Sequence, residues 1–257
     1  MKKYKLLLAA VFAVCFTACI QIDEEVELKE DGSGQMKVHT DMGKLFEMLK
    51  SFATEEDLAK EGINKAMDTT ILMKDIVDTS KDVSAENKAL LRNGVLHLNM
   101  NVKENLFKMD MNYPFKNLNE ANKLYAAMNQ DGMMGNVLKG LNPNGKTDNS
   151  ANAAEGSGLE KIGSMYDVAI TKGQYSRTLN KGRFETMSTD PKIQESKGMM
   201  AMMGDMQMNL KVSLPRAAKS VSNPRATLSP DKKTVTLLND LTVALDSPQN
   251  MEIIIQY

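Results

Sequence analysis

The most constraining feature of this sequence is a set of segments in which apolar and polar residues alternate one by one. The plainest example precedes Pro215, where apolar side chains occupy every second position: Met206, Met208, Leu210, Val212 and Leu214. Successive side chains of a β-strand point to opposite faces, so this alternation predicts strands with one buried and one solvated face. Such strands are typical of antiparallel sheets.

Turn residues join several of these segments into hairpins. One hairpin is predicted over 20–41, around Glu30-Asp31-Gly32-Ser33-Gly34, and another over 95–113, around Lys103-Glu104-Asn105. Shorter strands are predicted at Val168–Ile170, at Phe184–Met187, on both sides of Ser229-Pro230-Asp231-Lys232, and at Met251–Ile255.

Helical spacing of apolar residues predicts helices near 42–53 and 115–129, with Pro114 ending the strand before the second of these. A helix through Ile71, Leu72, Ile76 and Val77 and a short helix that Ser84 caps are also expected.

Among the predicted elements, hairpins outnumber strand–helix–strand units. The sequence therefore predicts an α+β fold, in which an antiparallel β-sheet built from hairpins carries a few packed helices. The predicted organisation is an export signal at 1–18, an α+β region at 19–140, a flexible linker or loop at 141–158, and a mainly β region at 159–257 that completes the same domain.

The N-terminus has the pattern of an export signal. Lys2, Lys3 and Lys5 precede an apolar run from 6 to 16, and the small residues Thr17 and Ala18 follow it. The run is about half of the ~20 apolar residues that a membrane-spanning helix needs. We therefore expect this segment to direct export rather than to anchor the chain.

Phe16-Thr17-Ala18-Cys19 resembles the lipobox of bacterial lipoproteins, with Phe16 in place of the usual Leu. The resemblance implies that the chain is cleaved before Cys19, and that Cys19 carries a diacylglyceryl group on its thiol and a further acyl chain such as palmitate. Two or more acyl chains give stable membrane anchoring where one is marginal. Cys19 is therefore the predicted lipidation site. The only other cysteine, Cys15, leaves with the signal.

Composition narrows the class of function. The formal net charge is −1 and no basic run is present, which disfavours a nucleic-acid partner. The chain has no Trp and only 5% aromatic residues, so a sugar-stacking surface is not expected. No motif for a cofactor or for catalysis stands out, and we expect no cofactor and no catalytic residue.

Methionine is unusually abundant, at 21 residues. Thioethers are soft ligands for Cu(I), so a cluster near 199–208 makes a copper site one hypothesis. The spacing equally fits a core-facing helix stripe followed by a strand face, and methionine readily fills irregular cores. The copper candidates are Met199, Met202, Met203, Met206 and Met208.

Two polar features have plain interpretations. The only histidines, His39 and His97, alternate with the apolar faces of their predicted strands, so we expect isolated imidazoles that point to solvent. Asp23-Glu24-Glu25 has two equally good interpretations. It fits a solvated strand edge, and it resembles the acidic export signal that Bacteroidota lipoproteins carry after the cysteine.

Two segments together resemble a family of uncharacterised bacterial lipoproteins of the LppM type. One is the hairpin around Glu30-Asp31-Gly32-Ser33-Gly34 with the helix after it, and the other is Val212-Ser213-Leu214-Pro215 followed by Val221-Ser222-Asn223. The resemblance implies an α+β envelope domain without an assigned activity. The tryptophan expected in the closing hairpin is absent.

The sequence thus predicts a lipid-anchored, non-enzymatic protein of the cell envelope, at the outer membrane, with the periplasmic or surface face left open. We expect it to bind a protein partner or an apolar ligand through its sheet. A copper-handling lipoprotein and an envelope hydrolase are the alternatives.

Overall fold

The computed structural model describes residues 20–52, 54, 66–80, 83–129, 159–191, 193–194, 197 and 206–257. Its strands are Ile20–Leu28 (β1), Gly34–Asp41 (β2), Met67–Leu72 (β3), Val95–Asn101 (β4), Leu106–Phe115 (β5), Tyr166–Thr171 (β6), Gln174–Leu179 (β7), Met206–Ser213 (β8), Ser220–Val221 (β9), Thr227–Leu228 (β10), Thr234–Leu237 (β11) and Ile253–Gln256 (β12). Its helices are Gly43–Phe52 (α1), Met73–Val77 (α2), Ala85–Leu91 (α3), Leu118–Met128 (α4), Leu159–Ser164 (α5), Lys181–Ser188 (α6) and Leu241–Asp246 (α7), with 3₁₀ turns at Val102–Glu104 and Pro248–Met251.

The strands form two sheets. The large sheet has eight strands in the order β10-β11-β8-β1-β2-β5-β4-β3, and the small sheet has four in the order β6-β7-β12-β9. Every pairing is antiparallel except that of β1 with β8, which is parallel. The predicted α+β fold class is confirmed, since hairpins supply most of the large sheet and half of the small one.

One face of the large sheet is apolar and faces the core. The buried side chains of β4 and β5 on this face, Leu96, Leu98, Met109 and Met111, pack in one cluster with residues of α2, α3, α4 and the small sheet. A second cluster forms where β1 and β8 begin, around Ile20 and Met206, and includes residues of α5, α6 and α7. Burial of such side chains is the main favourable term in the stability of the fold.

Helix α4 also holds the edge of the small sheet. Its Asn122 side chain donates a hydrogen bond to the Ile170 carbonyl at 2.9 Å and accepts one from the Ile170 amide at 2.8 Å. These two bonds satisfy backbone groups of β6 that a sheet edge otherwise leaves without partners.

Local capping explains where two of the helices begin. The Ser84 hydroxyl accepts a hydrogen bond from the Asn87 amide at the start of α3, as the sequence predicts. The Asn117 side chain accepts from the Glu120 amide at the start of α4 in the same way.

Three local predictions are wrong. Phe184 and Met187 lie in helix α6, which Asn180 caps by accepting from the Arg183 amide, and not in a strand. Ile71 and Leu72 belong to strand β3 rather than to a helix that includes Ile76. The third error concerns Pro114.

Pro114 does not end β5. It pairs with Gln35 of β2, and β5 continues to Phe115. The neighbouring strand β4 pairs β5 only from Leu106 to Asn112, so Pro114 lies beyond the reach of β4. A proline is tolerated at such an edge position because it removes no ladder hydrogen bond on the unpaired side.

Several predicted features lie outside the described residues. They are the export signal at 1–18, the lipidation site Cys19, the linker at 141–158, and three of the methionines, Met199, Met202 and Met203.

Candidate functional site

The second face of the large sheet is polar and solvent-exposed, and we call it the open face. Alternation places it on the side of β1 opposite to the buried residues Val26 and Leu28. Its charged residues are the carboxylates Asp23, Glu25, Glu27, Asp41, Asp68 and Asp110 and the lysines Lys37, Lys108 and Lys211, placed there by the strand register. Carboxylates therefore exceed lysines on this face.

A continuous row of polar residues crosses six neighbouring strands of the open face. The register aligns, in spatial order, Asn209, Asp23, His39, Asp110, His97 and Thr70. We call this set the polar row. Cross-strand neighbours lie about 4.5–5.5 Å apart at their Cβ atoms, so each side chain is within reach of the next.

Hydrogen bonds connect much of the polar row. The Asn209 amide donates to an Asp23 carboxylate oxygen at 2.8 Å. The His39 Nδ1 atom lies 2.6 Å from Asp110 Oδ1, and the His97 Nδ1 atom lies 3.9 Å from Asp110 Oδ2. The other ring nitrogen of His97 lies 2.8 Å from Asp68 of β3.

The histidines are on the solvated face, as the alternation indicates, but they are not isolated. His39 and His97 come from β2 and β4, and β5 between them places Asp110 beside both rings. The prediction of two unconnected imidazoles is therefore wrong. Sequence spacing could not reveal this arrangement, because it depends on the order of the strands in the sheet.

Among the described residues the polar row does not have the geometry of a metal centre, and His97 is not placed as the base of a nucleophilic triad. Within the described part of the chain, no group of three or more His, Cys, Asp or Glu side chains is arranged to hold a metal ion. Both ring nitrogens of His97 face carboxylates, so neither is placed to activate a hydroxyl group. The row is instead a hydrogen-bonding surface that combines acidic and amide groups with imidazoles.

A buried polar cluster lies on the other face of the same region. The Glu24 carboxylate accepts a hydrogen bond from the Tyr125 hydroxyl at 2.5 Å and a second, charge-assisted bond from the Arg177 guanidinium. Glu24 belongs to β1, Tyr125 to α4 and Arg177 to β7, so the cluster joins the large sheet, a helix and the small sheet. Glu24 is 8% exposed and Arg177 is 4% exposed.

The cluster controls the ionisation of its members. Burial raises the pKa of Tyr125 well above its ordinary value, and the negative charge of Glu24 raises it further. Burial also raises the pKa of Tyr175 to about 12. Burial alone would lower the pKa of Arg177, but the attraction of Glu24 together with that of Tyr175 and Tyr125 more than offsets this and raises it. Arg177 and both tyrosines therefore keep their protons at neutral pH.

Among the described residues, the Tyr175 hydroxyl oxygen and Arg177 Nε are two buried atoms of this cluster without a hydrogen-bond partner. Both are buried inside the packed core rather than on a face that a ligand can reach. We therefore interpret the cluster as a connection between the two sheets and the open face as the candidate binding surface.

The structure divides the acidic run Asp23-Glu24-Glu25 between two environments. Asp23 and Glu25 point to the open face, where Lys211 lies 3.0 Å from Glu25, whereas Glu24 points inward. A fully solvated strand edge is therefore wrong for Glu24. The signal was present in the sequence, because Glu24 shares its alternation with Ile22 and Val26.

The described methionines of the copper hypothesis are core residues. Met206 is fully buried at the start of β8, and Met208 packs against the same cluster. Met206 belongs to the strand and not to a helix stripe. These two thioethers are therefore placed for packing.

The fold thus defines an α+β protein with one open polar sheet face. The chain matches no family model, no curated protein and no solved structure. The resemblance to LppM-type lipoproteins accordingly stays a prediction. Among the described helices, none is long and apolar enough to cross a membrane.

Proposed function

We propose that this chain is a lipid-anchored, non-enzymatic envelope protein that binds a cationic protein surface through the open face of its large sheet. The observation that carries the proposal is the open face itself, on which six carboxylates stand against three lysines. An excess of carboxylates favours a partner with positive charge and accelerates its association.

Several of these charged groups can still form hydrogen bonds or ion pairs with a partner. Lys211 and Lys108 lie within ion-pair distance of Glu25 and Asp41, whereas Asp23 accepts hydrogen bonds from two neutral amides, those of Gln21 and Asn209. The carboxylates of the polar row each have more than one lone pair, so an incoming Lys or Arg side chain can add a bond without displacing an existing one.

The distribution of apolar residues favours a polar partner over an apolar ligand. The large exposed hydrophobic side chains among the described residues are scattered over separate elements: Leu72, Leu228, Leu238, Val243 and Ile254. Single exposed hydrophobic residues are normal on protein surfaces and do not form a binding groove.

A lysine-rich model peptide with a fluorescent label provides the test of the open face. We expect the double variant Asp23→Asn/Asp110→Asn to bind this peptide several-fold more weakly than the wild-type protein. The reason is that two carboxylates of the polar row lose their charge while their shape is kept. Binding is followed by fluorescence anisotropy at low ionic strength, where charge interactions are least screened.

The matched control removes the same charge elsewhere. Glu30 and Glu185 are exposed carboxylates that do not lie on the open face, and the double variant Glu30→Gln/Glu185→Gln should bind like the wild type. Equal weakening in both double variants would show that only net charge matters and would refute the open face as the binding surface.

Membrane fractionation tests the lipid anchor. We expect Cys19→Ala to leave the membrane fraction or to accumulate unprocessed, because the acyl chains on Cys19 are the proposed anchor. Normal processing of Cys19→Ala with unchanged membrane association would contradict the lipid anchor.

A further inference from the structure

The first strand begins immediately after the proposed lipidation site. Ile20, the residue that follows Cys19, is already paired with Met206 of β8 and is 1% exposed in the second hydrophobic cluster. A typical flexible linker between an anchor and its domain allows many orientations. Here the folded sheet starts within one residue of the acylated position.

We call the end of the large sheet at which β1 and β8 begin the anchor end. The strand register shows which residues of β2 and β5 also lie at the anchor end. Asp41 at the end of β2 pairs with Gln21, and Lys108 of β5 pairs with Asp41. The 3₁₀ turn Val102–Glu104 lies beyond that level, because it connects β4 to the first residue of β5, Leu106.

Helix α1 occupies the same end. It follows β2 directly, and its Lys50 ammonium donates to the Lys103 carbonyl at 3.2 Å and to the Asn105 side chain at 2.6 Å. Lys103 and Glu104 are exposed in the turn. Among the described residues, α1 and this turn thus give the anchor end charges of both signs, which is compatible with lipid headgroups.

We propose that the anchor end rests directly on the lipid surface, with the strands of the large sheet pointing away from the bilayer. This inference rests on the proposed acylation of Cys19. Acyl chains hold Cys19 at the lipid interface, and one residue of extended chain spans only about 3.4 Å. The start of β1 and the 3₁₀ turn Val102–Glu104 are therefore held close to the headgroups.

The orientation also fixes the height of the open face. Asp23 of the polar row lies three residues along β1 from Ile20, which places the row about 10 Å from the anchor end. The turn between β1 and β2, which contains Glu30, lies at the opposite end of the strand, about 30 Å away. A partner on the open face therefore binds beside the membrane surface.

Single-cysteine labelling provides the test, because acylated Cys19 offers no thiol and the mature chain has no other cysteine. Glu104→Cys and Glu30→Cys form a matched pair of exposed glutamates in turns at opposite ends of the sheet. Each full-length acylated variant is labelled with the same fluorophore and reconstituted on vesicles of phosphatidylethanolamine and phosphatidylglycerol. The vesicles carry a headgroup-attached nitroxide, which quenches only at close range.

We expect the label at E104C to lose most of its fluorescence and the label at E30C to keep it. A Gly-Ser insertion of about twenty residues between Cys19 and Ile20 spans about 25 Å on average, so it should remove the difference between the two labels. The inserted protein controls for lipidation itself, since it keeps the same anchor.

The outcomes separate this inference from the proposed function. Equal quenching of the two labels in protein whose acylation is verified by mass spectrometry would overturn the orientation and leave the lipid anchor intact. Absence of acyl mass on Cys19, with no association with vesicles, would overturn both.

Discussion

Glu24 is a carboxylate on the apolar face of its strand, flanked along that face by Ile22 and Val26. A charged group in such a position is costly unless other groups replace its lost hydration. Arg177 and Tyr125 supply that replacement from two other elements. Buried ion pairs contribute little net stability compared with apolar residues of the same shape, but they penalise arrangements that separate the partners. We therefore expect Glu24 to fix how the small sheet and α4 dock on the large sheet.

The cluster predicts a specific pattern of variant stabilities. Glu24→Leu and Arg177→Met each leave one buried charge without its partner, and each should lower the free energy of unfolding by about 3–5 kcal/mol. The double variant leaves only the Tyr125 hydroxyl without its acceptor, which costs about 1–3 kcal/mol. Urea denaturation of all four proteins measures the difference. Additive losses in the double variant would show that the two charges do not interact.

The buried tyrosines predict a loss of stability at alkaline pH. Burial raises the pKa of Tyr175 from the ordinary 10.0 to about 12, and the pKa of Tyr125 is also raised. Between these values the unfolded chain releases tyrosine protons and the folded chain does not. The free energy of unfolding should therefore fall as the pH rises above 10, by about 1.4 kcal/mol per pH unit for each such tyrosine.

Tyr125→Phe isolates one contribution to this pH dependence. Its stability should decline less steeply above pH 10 than that of the wild type, because one titrating group is removed. Lysine deprotonation affects both proteins alike and cancels in the comparison. Identical slopes in chemical denaturation series between pH 9 and 12 would exclude Tyr125 as a linked group.

Elements that sequence reasoning locates well are those whose signal is local. The hairpin of β1 and β2 and that of β4 and β5 carry both alternation and turn residues, including Asn105, which adopts the left-handed conformation with a φ of 54°. Alternation over 206–214 likewise locates β8, but its parallel pairing with β1 depends on residues far apart in sequence and has no local signal.

The elements that the sequence predicts wrongly have apolar patterns too short to distinguish the periodicity of a helix from that of a strand. Phe184 and Met187 are three positions apart, which fits one face of a helix, and the decisive evidence is the cap from Asn180. Strand β3 lies at the edge of the large sheet, where it pairs with one neighbouring strand. Its Asp68-Thr69-Thr70 segment has no alternation of apolar and polar residues. Tertiary pairing with β4 determines its conformation.

The first hairpin contains a position that tolerates only glycine. A Cβ atom on Gly34 would lie 1.9 Å from the Glu27 carbonyl oxygen and 2.6 Å from the Phe115 ring. We expect Gly34→Ala to destabilise the protein by at least the ~1–3 kcal/mol typical of overpacking, because backbone must move. Thermal melts of the purified variant measure the effect.

Gly163→Ala is the matched control for this substitution. Among the described residues, a Cβ there would meet only the Met208 methyl group, at 4.0 Å, and Gly163 lies in helix α5. Alanine should raise the free energy of unfolding by about 0.5–1 kcal/mol, because it is the better helix former. A Gly34→Ala protein as stable as Gly163→Ala would show that the hairpin adjusts without cost.

At the scale of the whole molecule, the chain passes repeatedly between the two sheets. After β6 and β7 in the small sheet, it enters the large sheet as β8, returns as β9, crosses again as β10 and β11, and ends in the small sheet as β12. Residues 206–257 therefore contribute strands to both sheets. The two sheets also share one hydrophobic cluster. Neither sheet can form completely from one contiguous segment.

This connectivity predicts that both sheets unfold in a single transition. Because the chain contains no Trp, one introduced tryptophan reports on one sheet alone. Leu72→Trp places the reporter on the edge of the large sheet and Ile254→Trp places it on the small sheet, both at partly exposed aliphatic positions. The two urea transitions should coincide with each other and with the circular dichroism transition.

Adding Glu24→Leu to both reporter proteins makes the test sharper. Glu24 lies on the large sheet, so independent sheets would respond differently, with a shift in the Leu72→Trp midpoint and little change in that of Ile254→Trp. Cooperative unfolding instead requires the same shift in both, because the loss of the Glu24–Arg177 pair destabilises one common folded state. A midpoint for the small sheet that does not move with Glu24→Leu would show that the buried pair does not couple the sheets.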